Sequence, residues 1–329
     1  MQQMKLSVIV PVYNAEKTLG RCLKSVLGSD MVELEVLCVN DGSTDGSAEL
    51  LEEWKEKDDR ITLIHQINHG VSIARNAALR EARGVYTVFV DADDEVTPAY
   101  FSNLVQAAEA HDAELVVCGY GYKADDGRGS VKTKALHPRV ISSPTPEQAD
   151  ELPVGVCAHL YKTEVLRKNG KMVGFPPAVR YGEDTAFHYS ICPFIRTIVI
   201  SEETGYIISA SADSASGRAS ALVGDMVNAL LWLKDQYAEI ADRNMVKNYL
   251  VLFAAHTMRR IHALAPYGEL EEQTLKLRKA MERCFICEQD LMMLSRKHSR
   301  RLINILNGGR GITLSYYFKL LKLLFRRKR

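Results

Sequence analysis

The densest chemistry in the chain is Asp91-Ala92-Asp93-Asp94-Glu95, four acids in five residues. Carboxylates crowded this closely repel one another, and the arrangement is costly unless a cation sits among them. Oxygen ligands suit magnesium or manganese, which keep several waters and bind through one or two carboxylates plus substrate phosphates. The same residues also suit a solvated acidic turn that caps the helix after Thr97-Pro98. A second acidic pair, Glu183-Asp184, could accept a proton, or could simply open a helix whose dipole favours negative charge. Three other clusters are rich in polar and turn-forming residues. Pro11-Val12-Tyr13-Asn14 offers an aromatic face. Asn40-Asp41-Gly42-Ser43-Thr44-Asp45-Gly46-Ser47 is dense in turn and N-cap chemistry, and Asp41 could accept from a nucleobase or sugar hydroxyl. In His69-Gly70-Val71-Ser72-Ile73-Ala74-Arg75-Asn76, Gly70 lets backbone approach closely and Ser72 can cap. Arg75, near a helix N-terminus, suits an anion such as a diphosphate, or else a surface salt bridge.

These clusters need a scaffold that brings them together, and the apolar pattern supplies one. LSVIVPV (6–12), LEVLCVN (34–40), ITLIH (61–65), VYTVFVD (85–91) and LVVCG (115–119) are short, β-branched and nearly continuous. Amphipathic helical patterns lie between them, marked by Leu19/Cys22/Leu23/Val26, Leu50/Leu51/Trp54, Ile73/Ala74/Ala77 and Leu104/Val105/Ala108. Such alternation predicts an α/β fold with a mostly parallel sheet covered on both faces. Ligands in such sheets bind at the carboxyl ends of the strands, where the clusters at 11–14, 40–47, 69–76 and 91–95 fall. Residues 121–153 lose periodicity and read as a long loop or mobile lid. TIVIS (197–201) and GYIIS (205–209) are strand-like, 209–220 is a small-residue loop, and 221–306 is helical. The organisation expected is therefore 1–120, 121–220, a helical extension over 221–311, and a tail over 312–329.

Composition narrows the class. The chain has 329 residues, 47% of them apolar and 25% charged, which is globular and long enough for a real core. Net charge is +1, so bulk charge points to no nucleic acid. The last 36 residues hold 11 Lys and Arg with no acid, leaving residues 1–293 at −10. Seven cysteines, several inside apolar runs, read as free thiols of a reducing compartment, and the lone Cys284-Phe-Ile-Cys287 pair as a helical core contact. With no signal peptide and no spanning segment, a cytoplasmic protein is expected.

PVYN, NDGSTDGS, HGVSIARN and DADD, in this order and spacing, resemble glycosyltransferase family 2, the inverting GT-A enzymes. Tyr181-Gly182-Glu183-Asp184-Thr185-Ala186-Phe187 is similar to the family's ED motif, and CAHLYKTEVL (157–166) to its acceptor-side segment. The resemblance covers about residues 4–215. It implies a GT-A (Rossmann-like) fold and a nucleotide-sugar donor, most often UDP-linked. By the same resemblance Pro11 and Tyr13 would line the base pocket, Asp41 would accept from the uracil edge, and Arg75 would contact base or diphosphate. Asp91 would hold the ribose and share with Asp93 the manganese or magnesium ion that neutralises the leaving diphosphate. Asp94 would be an outer acid or a helix cap. Asp184 would be the general base of a single displacement onto a hydroxyl of a glycan or lipid-linked acceptor, with Glu183 positioning the acceptor or basic neighbours. His188, four residues on, reads as a packed or solvent-facing residue. The assembly of capsule, exopolysaccharide or lipopolysaccharide is the class of process implied.

In ITLSYYFKLLKLLFRRKR (312–329), Ser315, Lys319, Lys322 and Arg326 form a polar stripe on an otherwise apolar helix ending in four bases. This suits an anionic membrane surface and places the protein at the inner face of the membrane. The other reading is a helix docked on the body or on a sister subunit, giving a homo-oligomer. A sugar nucleotidyltransferase would need a Gly-rich, Arg-containing loop after the first strand, where PVYNAEKTLG stands. A dehydrogenase would need GxGxxG there, and a P-loop enzyme GxxxxGK[ST]. A non-catalytic nucleotide-sugar-binding or scaffold protein is disfavoured by intact Asp93 and Asp184.

Overall fold

The computed structural model describes residues 4–123, 131–168, 171–209, 224–264, 270–286 and 290. The apolar runs become strands: β1 (Leu6–Val12), β2 (Leu34–Asp41), β3 (Ile61–Gln66) and β4 (Tyr86–Phe89), connected by α1 (Leu19–Leu27), α2 (Ser47–Lys57) and α3 (Val71–Glu81). Each central strand serves two cores at once, because successive side chains point to opposite faces. Val8, Val10, Val36, Cys38 and Val88 enter one core with Leu19, Leu23 and Leu104. Ile9, Leu37, Val39 and Phe89 enter the other with Ala74, Ala78 and Phe187. This double burial is why the strands read as continuous apolar runs instead of alternating ones.

The chain continues through β5 (Glu95–Val96), α4 (Tyr100–His111), β6 (Leu115–Val117), β7 (Tyr120–Lys123), β8 (Val131–Lys134), β9 (Arg139–Ser142), α5 (Pro146–Asp150) and β10 (His159–Lys162). A small hairpin, β11 (Arg167–Lys168) with β12 (Lys171–Met172), precedes α6 (Glu183–Ile191), β13 (Thr197–Ile200) and β14 (Tyr206–Ser209). The main sheet has eight strands among the described residues, in the order β3-β2-β1-β4-β10-β6-β13-β9. β3, β2, β1 and β4 run parallel, whereas β10 is antiparallel to both β4 and β6. The chain builds outward from β1 to β3 and then returns to the other side of β1 as β4. In open α/β sheets such a reversal is where ligands bind, which points to the carboxyl ends of β1 and β4.

The loop expected over 121–153 is not what forms. β7, β8, β9 and α5 lie in this stretch. β9 joins the main sheet against β13, and β8 pairs with β7 in a second sheet of order β5-β14-β7-β8. All four residues of β8 are exposed and only Ile141 of β9 is buried. Backbone pairing at sheet edges, not burial, makes these strands, so they carry no apolar signature.

The chain divides into two compact units, Met1–Gly217 and Arg218–Arg329. In the second, α7 (Asp225–Gln236), α8 (Arg243–Leu264) and α9 (Leu270–Arg283) form in the region expected to be helical. They pack around Leu230, Leu233, Tyr237, Tyr249, Phe253, Leu277 and Met281. A cavity of about 390 Å³ lies wholly in this unit, between α7 and α9. Among the described residues no helix is long and apolar enough to cross a membrane. Cys22, Cys38, Cys118, Cys157, Cys192 and Cys284 are free thiols. Cys287, the loop over 210–220 and the tail over 312–329 lie outside the described residues.

Candidate active site

The rim is assembled by side chains that tie one loop to the next. Asn14, with φ 50°, turns its side chain to accept from the Thr44 N–H at 2.8 Å, while its own N–H donates to Ser43 Oγ. Asp45 accepts from the Glu16 N–H at 3.1 Å and from Ser47 Oγ at 2.6 Å. The NDGSTDGS stretch is thus bolted to the end of β1. Tyr13 stands on this rim, 52% exposed, beside partly buried Pro11. Asp41, at the tip of β2, is buried and accepts from Gln66 Nε2 and the N–H groups of His69 and Gly70, at 2.6–2.9 Å. It therefore shapes the turn into α3, using three of the roughly four acceptor positions of a carboxylate. Gly70 caps that helix at φ 88°, and Ser72 reaches the Val179 carbonyl instead of capping.

Arg75 is the hub. Its side chain is 3% exposed. Nη2 meets Asp91 Oδ1 at 3.0 Å, and Nη1 meets Asp184 Oδ1 at 2.7 Å and Glu183 Oε1 at 3.4 Å. The guanidinium also lies 5.1 Å from the centroid of the Phe175 ring. The anion expected for Arg75 was a diphosphate; its anions here are three carboxylates from two distant motifs. Burial alone would lower its pKa, but Asp184 and Asp91 outweigh that and hold it well above the ordinary value.

Asp184 sits in the first turn of α6, whose N-cap Gly182 has φ 80°. Its side chain is 28% exposed and held by Arg75. Burial raises its pKa, opposed by Arg75. Glu183 is raised by burial and by the neighbouring Asp184 charge. Asp184 is thus a carboxylate whose proton affinity is lifted while its orientation is fixed by Arg75. His188 is packed, as expected, with Nε2 3.1 Å from the Ala149 carbonyl oxygen.

The acidic turn sorts its four members by their partners. Glu95 pairs with Lys123 at 2.9 Å and Arg21 at 3.7 Å. Asp94 is buried and accepts from Tyr206 Oη at 2.6 Å and the Ser209 N–H at 2.9 Å. Asp91 shares Arg75. Among the described residues, no other side chain donates to the Asp93 carboxylate. The turn does not cap a helix: α4 starts at Tyr100 after Ala99, with no side-chain cap. Carboxylate oxygens of Asp91, Asp93 and Asp94 lie within 4.8 Å of one another. Burial and then the Asp91 charge raise the pKa of Asp93, and the same two causes push Asp94 up to about 7. A crowded all-oxygen set whose charges are mutually destabilising fits a hard divalent cation such as magnesium or manganese.

Two residues of this site escape sequence reasoning. Asn76 grips the Phe175 backbone with both ends of its amide, at 2.7 and 2.8 Å, holding the segment that leads to Glu183 and Asp184. Its place in HGVSIARN was visible, though not its job. Tyr206, more than 110 positions from the acids it touches, carries no local signal.

Residues 7–168 match the sequence profile described as glycosyl transferase family 2. The uncharacterized glycosyltransferase EpsJ of Bacillus subtilis is 33% identical over 217 residues, covering 64% of this chain and 62% of that protein. The chain thus spans less than two thirds of that relative's length. A crystal structure of Staphylococcus aureus TarS 1–349 in complex with UDP-GlcNAc superposes with a TM-score of 0.69 at 20% identity, over 87% of this chain and 83% of that one. The mannosyltransferase PcManGT of Pyrobaculum calidifontis, in complex with GDP-Man and Mn2+, gives 0.53 at 17% identity, over 98% and 85%. The sheet order and these superpositions agree on a GT-A fold.

Proposed function

We propose, from the match of residues 7–168 to the glycosyl transferase family 2 profile, that the protein moves a sugar from a nucleotide donor, UDP-linked, to a hydroxyl of a glycan or lipid-linked acceptor. The observation that carries this reading is the shared guanidinium: Arg75 joins Asp91 of the acidic turn to Asp184 of α6. Donor-side and acceptor-side carboxylates from motifs 93 positions apart in the sequence thereby meet at one point.

In this reading Pro11 and Tyr13 flank the base, Asp41 accepts from its edge with its remaining acceptor position, and Asp91 holds the ribose. Asp93, with Asp91, would hold a divalent cation, whose contribution when bound is to neutralise the departing diphosphate. Asp184 takes the proton of the acceptor hydroxyl as its oxygen attacks the anomeric carbon opposite the diphosphate. The C–O bond to the acceptor forms as the bond to the diphosphate breaks, so one step inverts the configuration. Glu183 and Arg75 fix the direction of that carboxylate. Residues 1–120 form the nucleotide-sugar half, 121–220 the acceptor side, 221–311 a helical extension, and 312–329 an anchor to an anionic inner membrane face. TarS and PcManGT, with UDP-GlcNAc and with GDP-Man and Mn2+ in their respective complexes, support a sugar-nucleotide donor and a divalent ion.

The test is turnover of UDP-sugars by the full chain with manganese. Asp184→Asn should lower transfer and donor hydrolysis by about 10²–10⁴-fold, the range for losing a positioned base. Wild-type turnover that survives this change at full rate would remove Asp184 from the mechanism.

A further inference from the structure

The acidic turn has almost no support of its own. Its internal bond is one backbone contact, Asp94 N–H to the Asp91 carbonyl at 3.0 Å. From outside the turn, Arg21 Nη2 donates to the Asp93 carbonyl at 2.6 Å, Cys22 Sγ to the Asp91 carbonyl at 3.5 Å and Arg75 to the Asp91 carboxylate at 3.0 Å. A further set of contacts comes from β14, which pairs with β5 immediately after the turn. Tyr206, buried against Tyr100, donates its hydroxyl to Asp94 Oδ2 at 2.6 Å and receives the Asp91 N–H at 3.2 Å. The Ser209 N–H occupies Asp94 Oδ1 at 2.9 Å. Both oxygens of Asp94 therefore face β14, and the tyrosine hydroxyl spans the two ends of the turn.

We infer that Tyr206 is a positioning residue for cation binding, and that Asp94 is the strut it holds, not a ligand. This rests on the reading of Asp93 and Asp91 as the cation's carboxylates. With the hydroxyl in place, Asp91 and Asp94 are fixed from behind and Asp93 is left as the carboxylate free to bind. Without it, the Asp91 N–H and Asp94 Oδ2 are buried with no partner. Among the described residues, the Asp94 carboxylate is then held by the Ser209 N–H alone, and the turn loses the brace between its two ends. Outer partners that orient ligands in this way are worth about 10–100-fold in metal affinity.

The experiment is an electron paramagnetic resonance titration of free Mn2+ against the full chain with UDP present, alongside thermal melting. Tyr206→Phe keeps the ring packing and should weaken Mn2+ retention by about tenfold. Asp94→Ala removes the Tyr206–Asp94 contact from the other side, and the double variant should lose less than the sum of the two single losses, because the two variants share that bond. Wild-type retention in Tyr206→Phe overturns the inference, as do additive losses in the double variant, which would make Asp94 a ligand in its own right. A lower melting temperature with unchanged Mn2+ retention assigns Tyr206 to packing alone and also overturns it. If Tyr206→Phe does not fold, full retention by Asp94→Ala decides against the inference. A wild-type chain that retains no Mn2+ with UDP fails earlier, at the cation reading itself, and takes this inference with it.

Discussion

Arg75 shows how one buried residue can join two distant motifs. A buried guanidinium is tolerated only when its charge is compensated, and its planar fork lets two nitrogens address two separate carboxylates. Lysine offers a single charged nitrogen and cannot bridge Asp91 and Asp184 in the same way. Arg75→Lys should therefore lower kcat by about 10²-fold, consistent with displacing a catalytic group by a fraction of an ångström to an ångström. A pH profile reads the same contact. The proposed base, Asp184, would work only when deprotonated, so turnover should fall as pH drops through its raised pKa. Arg75 opposes that rise, so weakening the contact should move the acid limb of kcat to higher pH. A limb that stays in place would show that Arg75 does not tune Asp184.

At the scale of elements, α3 acts as a clamp. Ser72, Arg75 and Asn76 project from its first half onto Val179, Glu183/Asp184 and Phe175. Asn76→Ala would leave a buried N–H and a buried carbonyl of Phe175 without partners. The expected cost is about 3 kcal/mol, from about 1–3 kcal/mol per unsatisfied buried group, measured by urea unfolding, with kcat falling as the Phe175 ring shifts beneath Arg75. The turn into α3 is equally constrained. Gly42 has φ 69°, and a Cβ there would lie 2.7 Å from the Asn68 backbone nitrogen. Gly42→Ala should destabilise by about 1–3 kcal/mol, as strained and overpacked sites do. The central strands, their helices and the rim clusters were legible because double burial and turn chemistry leave strong local patterns. β8 and β9 were not, since an exposed edge strand is stabilised by a neighbour's backbone and not by its own side chains.

For the whole molecule, stability should depend on pH through two buried histidines. His159 is fully buried, and burial followed by the proximity of His188 lowers its pKa to about 3. Burial likewise lowers that of His188. Unfolded, each would titrate near 6.5, so below that pH the unfolded chain binds protons that the folded chain refuses. The histidines' contribution to stability is then complete above about pH 6.5 and falls on acidification, for His159 down toward pH 3, by up to about 1.4 kcal/mol per pH unit for each histidine. Melting temperatures from pH 7 to pH 4 should fall less steeply in His159→Phe; parallel curves would refute the linkage. Removing 312–329 should abolish flotation with anionic vesicles and leave turnover of a water-soluble acceptor intact, and unchanged flotation would defeat the anchor. Sequence by itself determined the parallel α/β core, the rim clusters and the identity of the acids, because burial period, turn residues and carboxylate crowding are local properties written in neighbouring residues. Only the tertiary structure decided which acid is free, which is braced by Tyr206 and which shares Arg75. Those assignments depend on hydrogen bonds between residues up to 115 positions apart, and no local pattern carries such pairings.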